Sequence, residues 1–211
     1  MTDTRSYLKL SPVIPVVTIG RAEDAVPLAR ALVAGGLKVI EVTLRTPAGL
    51  NAIRSIARDV PELAVGAGTV LNKRDLETSI EAGARFIVSP GLTPQLLRDA
   101  VEAGVPYLPG AASAAEVMMA LEAGIDCLKF FPAAAVGASV LKSFAGPFPN
   151  VDFCATGGIT MDNAQDFMSL PNVLCVGATW VTPDKTIAAG DWAAIEDNAR
   201  RAASLARSAA T

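Results

Sequence analysis

A short phrase of small residues and glycine recurs four times along the chain. It is Val33-Ala34-Gly35-Gly36 at its first occurrence and Glu-Ala-Gly at residues 81–83, 102–104 and 122–124. Each copy closes an amphipathic stretch and precedes a short apolar one, which is typical of a helix that ends on glycine and turns into a strand. The phrase therefore predicts that helices and strands alternate along the chain.

Eight short apolar segments are candidates for the strands. They are Ile14–Val17, Val39–Thr43, Ala64–Gly68, Phe86–Val88, Tyr107–Leu108, Cys127–Phe130, Asp152–Ala155 and Val173–Val176. The predicted helices are Ala22–Ala34, Gly49–Ile56, Lys73–Glu81, Pro94–Ala103, Ala114–Ala123, Gly137–Phe144, Asn163–Met168 and Trp192–Ala209. Eight alternating pairs predict an α/β fold, a closed (β/α)8 TIM barrel, and an open doubly wound sheet is the alternative.

The chain has 211 residues, of which 51% are hydrophobic and only 18% charged. This length suffices for one large core and lies within the range of a single α/β barrel. No linker, low-complexity tract or shift in composition interrupts the alternation of helices and strands. We therefore expect one barrel domain over residues 1–211, with a short N-terminal segment, residues 1–11, before the first strand.

Composition excludes several kinds of site. The chain contains no histidine, so histidine triads and histidine-ligated metals are ruled out. Cys127, Cys154 and Cys175 each lie inside an apolar run, which indicates buried residues in a reducing compartment rather than a metal or redox motif.

Charge and hydropathy point to a small-molecule partner. A net charge of −3 without a basic cluster offers no surface for nucleic acid or an anionic membrane. The first apolar run, Val13–Ile19, is too short and too interrupted by proline for a signal sequence or a membrane span. We therefore expect a cytoplasmic protein.

Lys129 interrupts an apolar run, Cys127–Pro132, that has the length of a buried strand. An ammonium group taken out of water is disfavoured, and a neutral lysine amine can attack a carbonyl carbon to form a Schiff base. Lys129 is thus a candidate nucleophile, although a salt-bridged lysine at a strand end is the alternative.

The two-residue period of a strand places Glu41, Thr43 and Arg45 on one face, and it places Lys129 and Phe131 on one face of another strand. If both faces point into the barrel, Glu41 and Lys129 converge at its mouth. Glu41 could then transfer protons while Arg45 binds a substrate carboxylate. A purely structural ion pair is the alternative.

Further candidates follow other predicted strands, where barrels carry their chemistry. Thr69 follows a glycine-rich strand end and adds a hydroxyl, whereas Pro90 is expected to shape the pocket wall. Thr156-Gly157-Gly158 and Gly177-Ala178-Thr179 follow strands seven and eight, the usual position of a phosphate site in barrels.

Together these residues resemble a known family, the 2-keto-3-deoxy-6-phosphogluconate aldolases, whose members also act as 4-hydroxy-2-oxoglutarate aldolases. The resemblance covers nearly the whole chain. It is carried by Pro12–Val17, Ala31–Gly36, Ile40–Thr46, Gly66–Leu71, Val88–Leu92, Leu128–Ala133, Ala145–Phe148, Phe153–Ile159 and Leu174–Gly177.

The resemblance implies a class I aldolase that needs no metal or other cofactor. It would split 2-keto-3-deoxy-6-phosphogluconate into pyruvate and glyceraldehyde 3-phosphate, the closing step of the Entner–Doudoroff route. Lys129 matches the Schiff-base lysine and Glu41 the general acid/base. The matches to substrate-binding positions are Arg45, Thr69 and Pro90 around pyruvate, Phe131 against the substrate, and Thr156, Gly157, Gly158 and Thr179 at the distal hydroxyls and phosphate. Members are typically homotrimers.

Two segments depart from the family pattern. Gly177-Ala178-Thr179 replaces Gly-Gly-Ser, which keeps the hydroxyl but adds a β-carbon that limits the approach of a phosphate. Residues 133–137 lack the expected acidic and amide residues. Thr156 favours the gluconate-derived substrate over its galactonate epimer.

Other functions stay open at this point. A 2-keto-3-deoxy-6-phosphogalactonate aldolase, or another pyruvate-dependent aldolase, is the nearest alternative. A metal-dependent barrel enzyme is disfavoured because Glu41 is the single carboxylate placed at an inward strand end. A barrel that binds phosphosugars without turnover is the third alternative.

Overall fold

The computed structural model describes residues 3–205 of the chain. Its strands form one parallel sheet in the order β5-β4-β3-β2-β1-β9-β8-β7-β6. Their bounds are Val13–Val17 (β1), Val39–Thr43 (β2), Ala64–Gly68 (β3), Ile87–Val88 (β4), Tyr107–Leu108 (β5), Gly110–Ala111 (β6), Cys127–Phe130 (β7), Asp152–Thr156 (β8) and Val173–Ala178 (β9). Each of the eight predicted strands is therefore present.

The extra strand, β6, follows the predicted fifth strand after a one-residue break at Pro109. Proline has no N–H to donate to a neighbouring strand. Its carbonyl nevertheless accepts a hydrogen bond from the Lys129 N–H at 2.8 Å, between the segments β5 and β6. Because β5 pairs with β4 while β6 pairs with β7, one chain segment joins both ends of the sheet. The predicted barrel is confirmed and the open doubly wound sheet is excluded.

The helices alternate with the strands as predicted. They are Thr4–Leu8 (α1), Ala25–Ala34 (α2), Gly49–Asp59 (α3), Lys73–Glu81 (α4), Pro94–Ala103 (α5), Ala114–Glu122 (α6), Ala133–Val136 (α7), Ala138–Phe144 (α8), Ala164–Met168 (α9), Asp184–Ala188 (α10) and Trp192–Ala203 (α11). Among residues 3–205, no helix has the length and apolar character that crossing a membrane requires.

Two helix predictions need correction. The predicted helix at 137–144 starts at Ala138, because Gly137 has a φ of 97° and separates it from α7. The last helix ends at Ala203 rather than Ala209, and residues 206–209 lie outside the described residues. The repeated glycine phrase does end helices: Gly104, for example, has a φ of 65° directly after α5.

Apolar side chains fill two layers of the barrel. Residues such as Leu28, Ile53 and Phe130 belong to the larger layer between strands and helices. A smaller cluster that includes Phe86 and the three cysteines fills the barrel interior. All three cysteines are buried, as the sequence indicated, and none of them forms a disulfide.

Helix α1 closes the N-terminal end of the barrel. Leu8 is buried in the interior cluster, and the ring of Tyr7 stacks on Phe86 with 5.2 Å between centroids. Arg5 forms ion pairs of 2.9 Å with both Asp126 and Asp152. With this end closed, the C-terminal ends of the strands are left as the accessible mouth.

Candidate active site

Lys129 and Glu41 form a buried ion pair inside the barrel. They are 4% and 3% exposed, and Lys129 Nζ donates a hydrogen bond of 3.3 Å to Glu41 Oε1. Leu128 and Phe130 point instead into the layer between strands and helices. The facing predicted from the two-residue period is therefore confirmed.

This geometry serves both charge compensation and proton exchange. Burying either charge alone would cost several kcal/mol, so each group stabilises the other. At 3.3 Å the carboxylate is also within reach of the proton that the amine must lose before it can attack a carbonyl. The structural ion pair expected as an alternative is thus present, and it places a carboxylate beside a buried amine.

A cavity of about 210 Å³ lies over this pair at the C-terminal ends of the strands. Its walls include seven of the predicted site residues: Arg45, Lys129, Phe131, Thr156, Gly157, Gly158 and Thr179. The cavity is large enough for a short keto acid, and its lysine lies at the floor. Glu41 is not among the residues that line the cavity, and it is connected to the cavity by the hydrogen bond that it accepts from Lys129.

Phe131 forms one wall of the cavity. Lys129 Nζ lies 5.4 Å from the centre of its ring, within the range of a cation–π contact. On the other side, Gly157 has a φ of 99°, and a β-carbon there would come within 3.0 Å of the ring. Gly157 therefore allows the β8 turn to pack directly against Phe131.

Arg45 lies beyond the end of β2, exposed at the cavity rim, rather than inside the barrel with Glu41 and Thr43. Its Nε donates a hydrogen bond of 3.2 Å to Thr69 Oγ1. Thr69 has a φ of 63° and is the one non-glycine residue among residues 3–205 with a positive φ. A β-branched residue in this conformation is strained, which is common at functional sites.

Thr69 and Pro90 do not line the cavity. Thr69 accepts a hydrogen bond from Arg45, which is at the cavity rim, and Pro90 is half-buried where β4 ends. Ser89 beside it donates a hydrogen bond of 2.5 Å to the Gly91 carbonyl, so the Tyr107 hydroxyl, 2.6 Å away, donates to Ser89. Burial raises the pKa of Tyr107 to about 12, which keeps the hydroxyl protonated.

The turns after β8 and β9 form the opposite end of the cavity. Thr156 is buried, and a β-carbon on Gly177 would collide with its hydroxyl. The carbonyls of Gly157 and Gly158 accept hydrogen bonds from the Ala134 N–H and Asn163 Nδ2, which orients the turn. Ala178 is buried and Thr179 exposed. A short helix, α10, follows this segment.

Comparison with known proteins identifies the family. A model of the KDPG and KHG aldolase family, the aldolases of 2-keto-3-deoxy-6-phosphogluconate and 4-hydroxy-2-oxoglutarate, matches residues 4–198. The chain belongs to this family. It is therefore an aldolase, a carbon–carbon lyase, as the resemblance implied.

Characterised relatives and solved structures agree with this assignment. The chain is 52% identical to a 2-dehydro-3-deoxy-phosphogluconate aldolase of Zymomonas mobilis, over 87% of this chain and 88% of the relative. It is 48% identical to the KHG/KDPG aldolase of Escherichia coli K12, over 95% of each. The KDPG aldolase of Legionella pneumophila superposes with a TM-score of 0.94 at 43% identity, over 96% of this chain and 99% of that one, and its structure holds pyruvate as a covalent carbinolamine intermediate.

Three residues at or beside this cavity were not among the predicted site residues: Val16 and Ile159, which line it, and Cys154. Val16 lines the cavity and pairs in register with Glu41. Cys154 pairs with Lys129 and lies 3.5 Å from Thr156 Oγ1. A hydrogen bond from the Cys175 thiol, then contact with Thr156 and the Lys129 charge, lower the pKa of Cys154 against the opposing effect of burial. The two-residue period already placed Cys154 on the face of Thr156.

Across residues 3–205, no group of three or more cysteine, aspartate or glutamate side chains could hold a metal ion. Glu41 is occupied by the lysine instead.

Proposed function

We propose that this aldolase cleaves 2-keto-3-deoxy-6-phosphogluconate to pyruvate and glyceraldehyde 3-phosphate, the last step of the Entner–Doudoroff route, and also 4-hydroxy-2-oxoglutarate to pyruvate and glyoxylate. The observation that carries the proposal is the buried Lys129 amine at the cavity floor, 3.3 Å from Glu41. The names of relatives with about half of their residues identical support these two substrates.

The reaction begins with proton transfer within the ion pair. Glu41 takes a proton from the Lys129 ammonium, and the neutral amine attacks the C2 carbonyl carbon of the keto acid to give a carbinolamine. Protonated Glu41 then returns its proton to the carbinolamine hydroxyl, which leaves as water and yields an iminium ion. The covalent carbinolamine seen in the Legionella pneumophila relative is an intermediate of this kind.

The iminium ion makes carbon–carbon cleavage possible because it accepts an electron pair. Glu41 removes the proton of the C4 hydroxyl, the C3–C4 bond breaks, and its electrons form an enamine on Lys129 while the aldehyde leaves. Glu41 gives the proton to C3, and water then hydrolyses the iminium to release pyruvate and restore the Lys129 ammonium beside ionised Glu41. One carboxylate thus serves each proton transfer.

Substrate binding is divided between the two ends of the cavity. Arg45, held by Thr69, presents its guanidinium to the carboxylate of the keto acid. Phe131 and the rim at Pro90 bound the pyruvate portion. Thr156, Gly157, Gly158 and Thr179 would hold the distal hydroxyls and the phosphate. The buried hydroxyl of Thr156 favours the gluconate-derived substrate.

The remaining expectations belong to the same proposal. Catalysis through an amine and a carboxylate requires no metal or cofactor. We also propose that the protein is a homotrimer, as the family resemblance implied, and that it is cytoplasmic, as expected from its short first apolar run.

Pyruvate release provides the test. The purified protein should cleave 2-keto-3-deoxy-6-phosphogluconate with a higher kcat/KM than its C4 epimer, and it should retain this activity in excess chelator. Equal rates with the epimers would refute the role of Thr156. Loss of activity in chelator that a divalent cation restores would refute the metal-free mechanism, and binding without pyruvate release would indicate a non-catalytic barrel.

A further inference from the structure

We infer that Gly68 is a positioning residue: its missing side chain creates the space in which the Glu41 carboxylate lies against Lys129. Gly68 is the last residue of β3 and is buried at the height of the ion pair. The inference rests on the proposed role of Glu41 as the acid/base.

The contacts around Gly68 are specific to Glu41. A β-carbon at position 68 would lie 2.6 Å from Glu41 Cγ and 2.8 Å from Cδ, and it would collide with Oε1. Oε1 is the oxygen that accepts the hydrogen bond from Lys129. Because β-carbons essentially never approach other atoms this closely, a side chain at position 68 would push this oxygen out of place.

Backbone conformation does not explain the glycine. Gly68 is absent from the glycines with positive φ, so alanine fits its backbone. The backbone also has little freedom to move away. Gly68 pairs in register with Thr43, and its carbonyl accepts a hydrogen bond of 2.9 Å from the Leu44 N–H. The collision must therefore be relieved by Glu41 itself.

The first test is Gly68→Ala. The added methyl group should displace the Glu41 carboxylate without removing it. We therefore expect kcat to fall about 10- to 100-fold, which is less than the full loss expected when an acid/base group is removed. KM should change less than about threefold, because Arg45 and the distal turns are untouched. Borohydride reduction with pyruvate should still modify Lys129. A kcat within about threefold of the unmodified protein would overturn the inference.

Gly66→Ala is the matched control. Gly66 lies two residues earlier on the same face of β3, and its β-carbon would collide with the ring of Phe86 rather than with Glu41. Both variants should lower the melting temperature, because each adds a β-carbon in a packed interior. Only Gly68→Ala should lower kcat by about tenfold or more. Equal losses of kcat in the two variants would contradict a specific role.

A double-mutant cycle keeps the inference testable if Gly68→Ala is unstable. In the Glu41→Ala background the added methyl group meets no carboxylate, so Gly68→Ala should change residual kcat less than about twofold and should cost little further stability. The same factor in both backgrounds would refute positioning through Glu41. If Glu41→Ala itself leaves turnover intact, the proposed acid/base role fails instead.

Discussion

At the residue scale, the chemistry depends on a lysine and a glutamate that share a buried volume inside the barrel. Strand period allowed Glu41 and Lys129 to converge inside the barrel, and the ion pair of 3.3 Å shows that they do. The two-residue period of a strand does not show which residues of the neighbouring strands lie beside Glu41 or Lys129. The roles of Gly68 and Thr69 depend on the register of β2 against β3, which places Thr43 beside Gly68.

Glu41→Gln should lower kcat by about 10²- to 10⁴-fold, because the amide cannot accept the proton of Lys129 or of the C4 hydroxyl. KM should change much less, since Arg45 still binds the substrate carboxylate. Steady-state pyruvate release measures both constants. Glu62→Gln is the control, because Glu62 is exposed and precedes β3 at the opposite end of the barrel. Near-normal turnover in Glu41→Gln would exclude the acid/base role.

At the element scale, the sequence located most strands and helices because glycine and apolar period mark their ends. Three elements were missed, namely β6, α1 and the short helix α7. Pro109 separates β5 from β6. That the extended segment continues to Ala111 is visible only from the pairing of β5 with β4 and of β6 with β7. Helix α1 has five residues with one buried side chain, too few for a helical period. The Asp3 N-cap and the stacking of Tyr7 on Phe86 stabilise this helix.

Leu8→Ala should destabilise the protein by about 2–3 kcal/mol, because it leaves a cavity in the barrel interior at the end that α1 closes. Leu8 is 1% exposed and belongs to the interior cluster. Urea unfolding measures the free energy. Leu10→Ala is the control, since Leu10 is 40% exposed and should change stability by less than about 0.5 kcal/mol. A normal KM in Leu8→Ala is expected as well, because α1 and the cavity lie at opposite ends. Equal losses of stability in both variants would show that α1 does not close the barrel.

At the scale of the whole molecule, the fold explains why so much of the site could be predicted. A closed parallel barrel brings all strand C-termini to one mouth, so residues far apart in sequence, such as Arg45 and Thr179, line one cavity. Side chains just past the strands were harder to place. Thr69 and Pro90 were expected beside the pyruvate moiety and are not among the residues that line the cavity, although Thr69 contacts Arg45 at its rim.

The central claim is that Lys129 is the Schiff-base amine. Borohydride reduction of the protein with pyruvate, followed by mass analysis of its peptides, tests it directly. We predict one reduced pyruvate adduct, on the peptide that contains Lys129, with loss of activity in proportion to labelling. Exposed lysines such as Lys38 and Lys142 should stay unmodified and provide the internal control. An unmodified Lys129 in a fully active enzyme, or an adduct confined to another lysine, would contradict the mechanism.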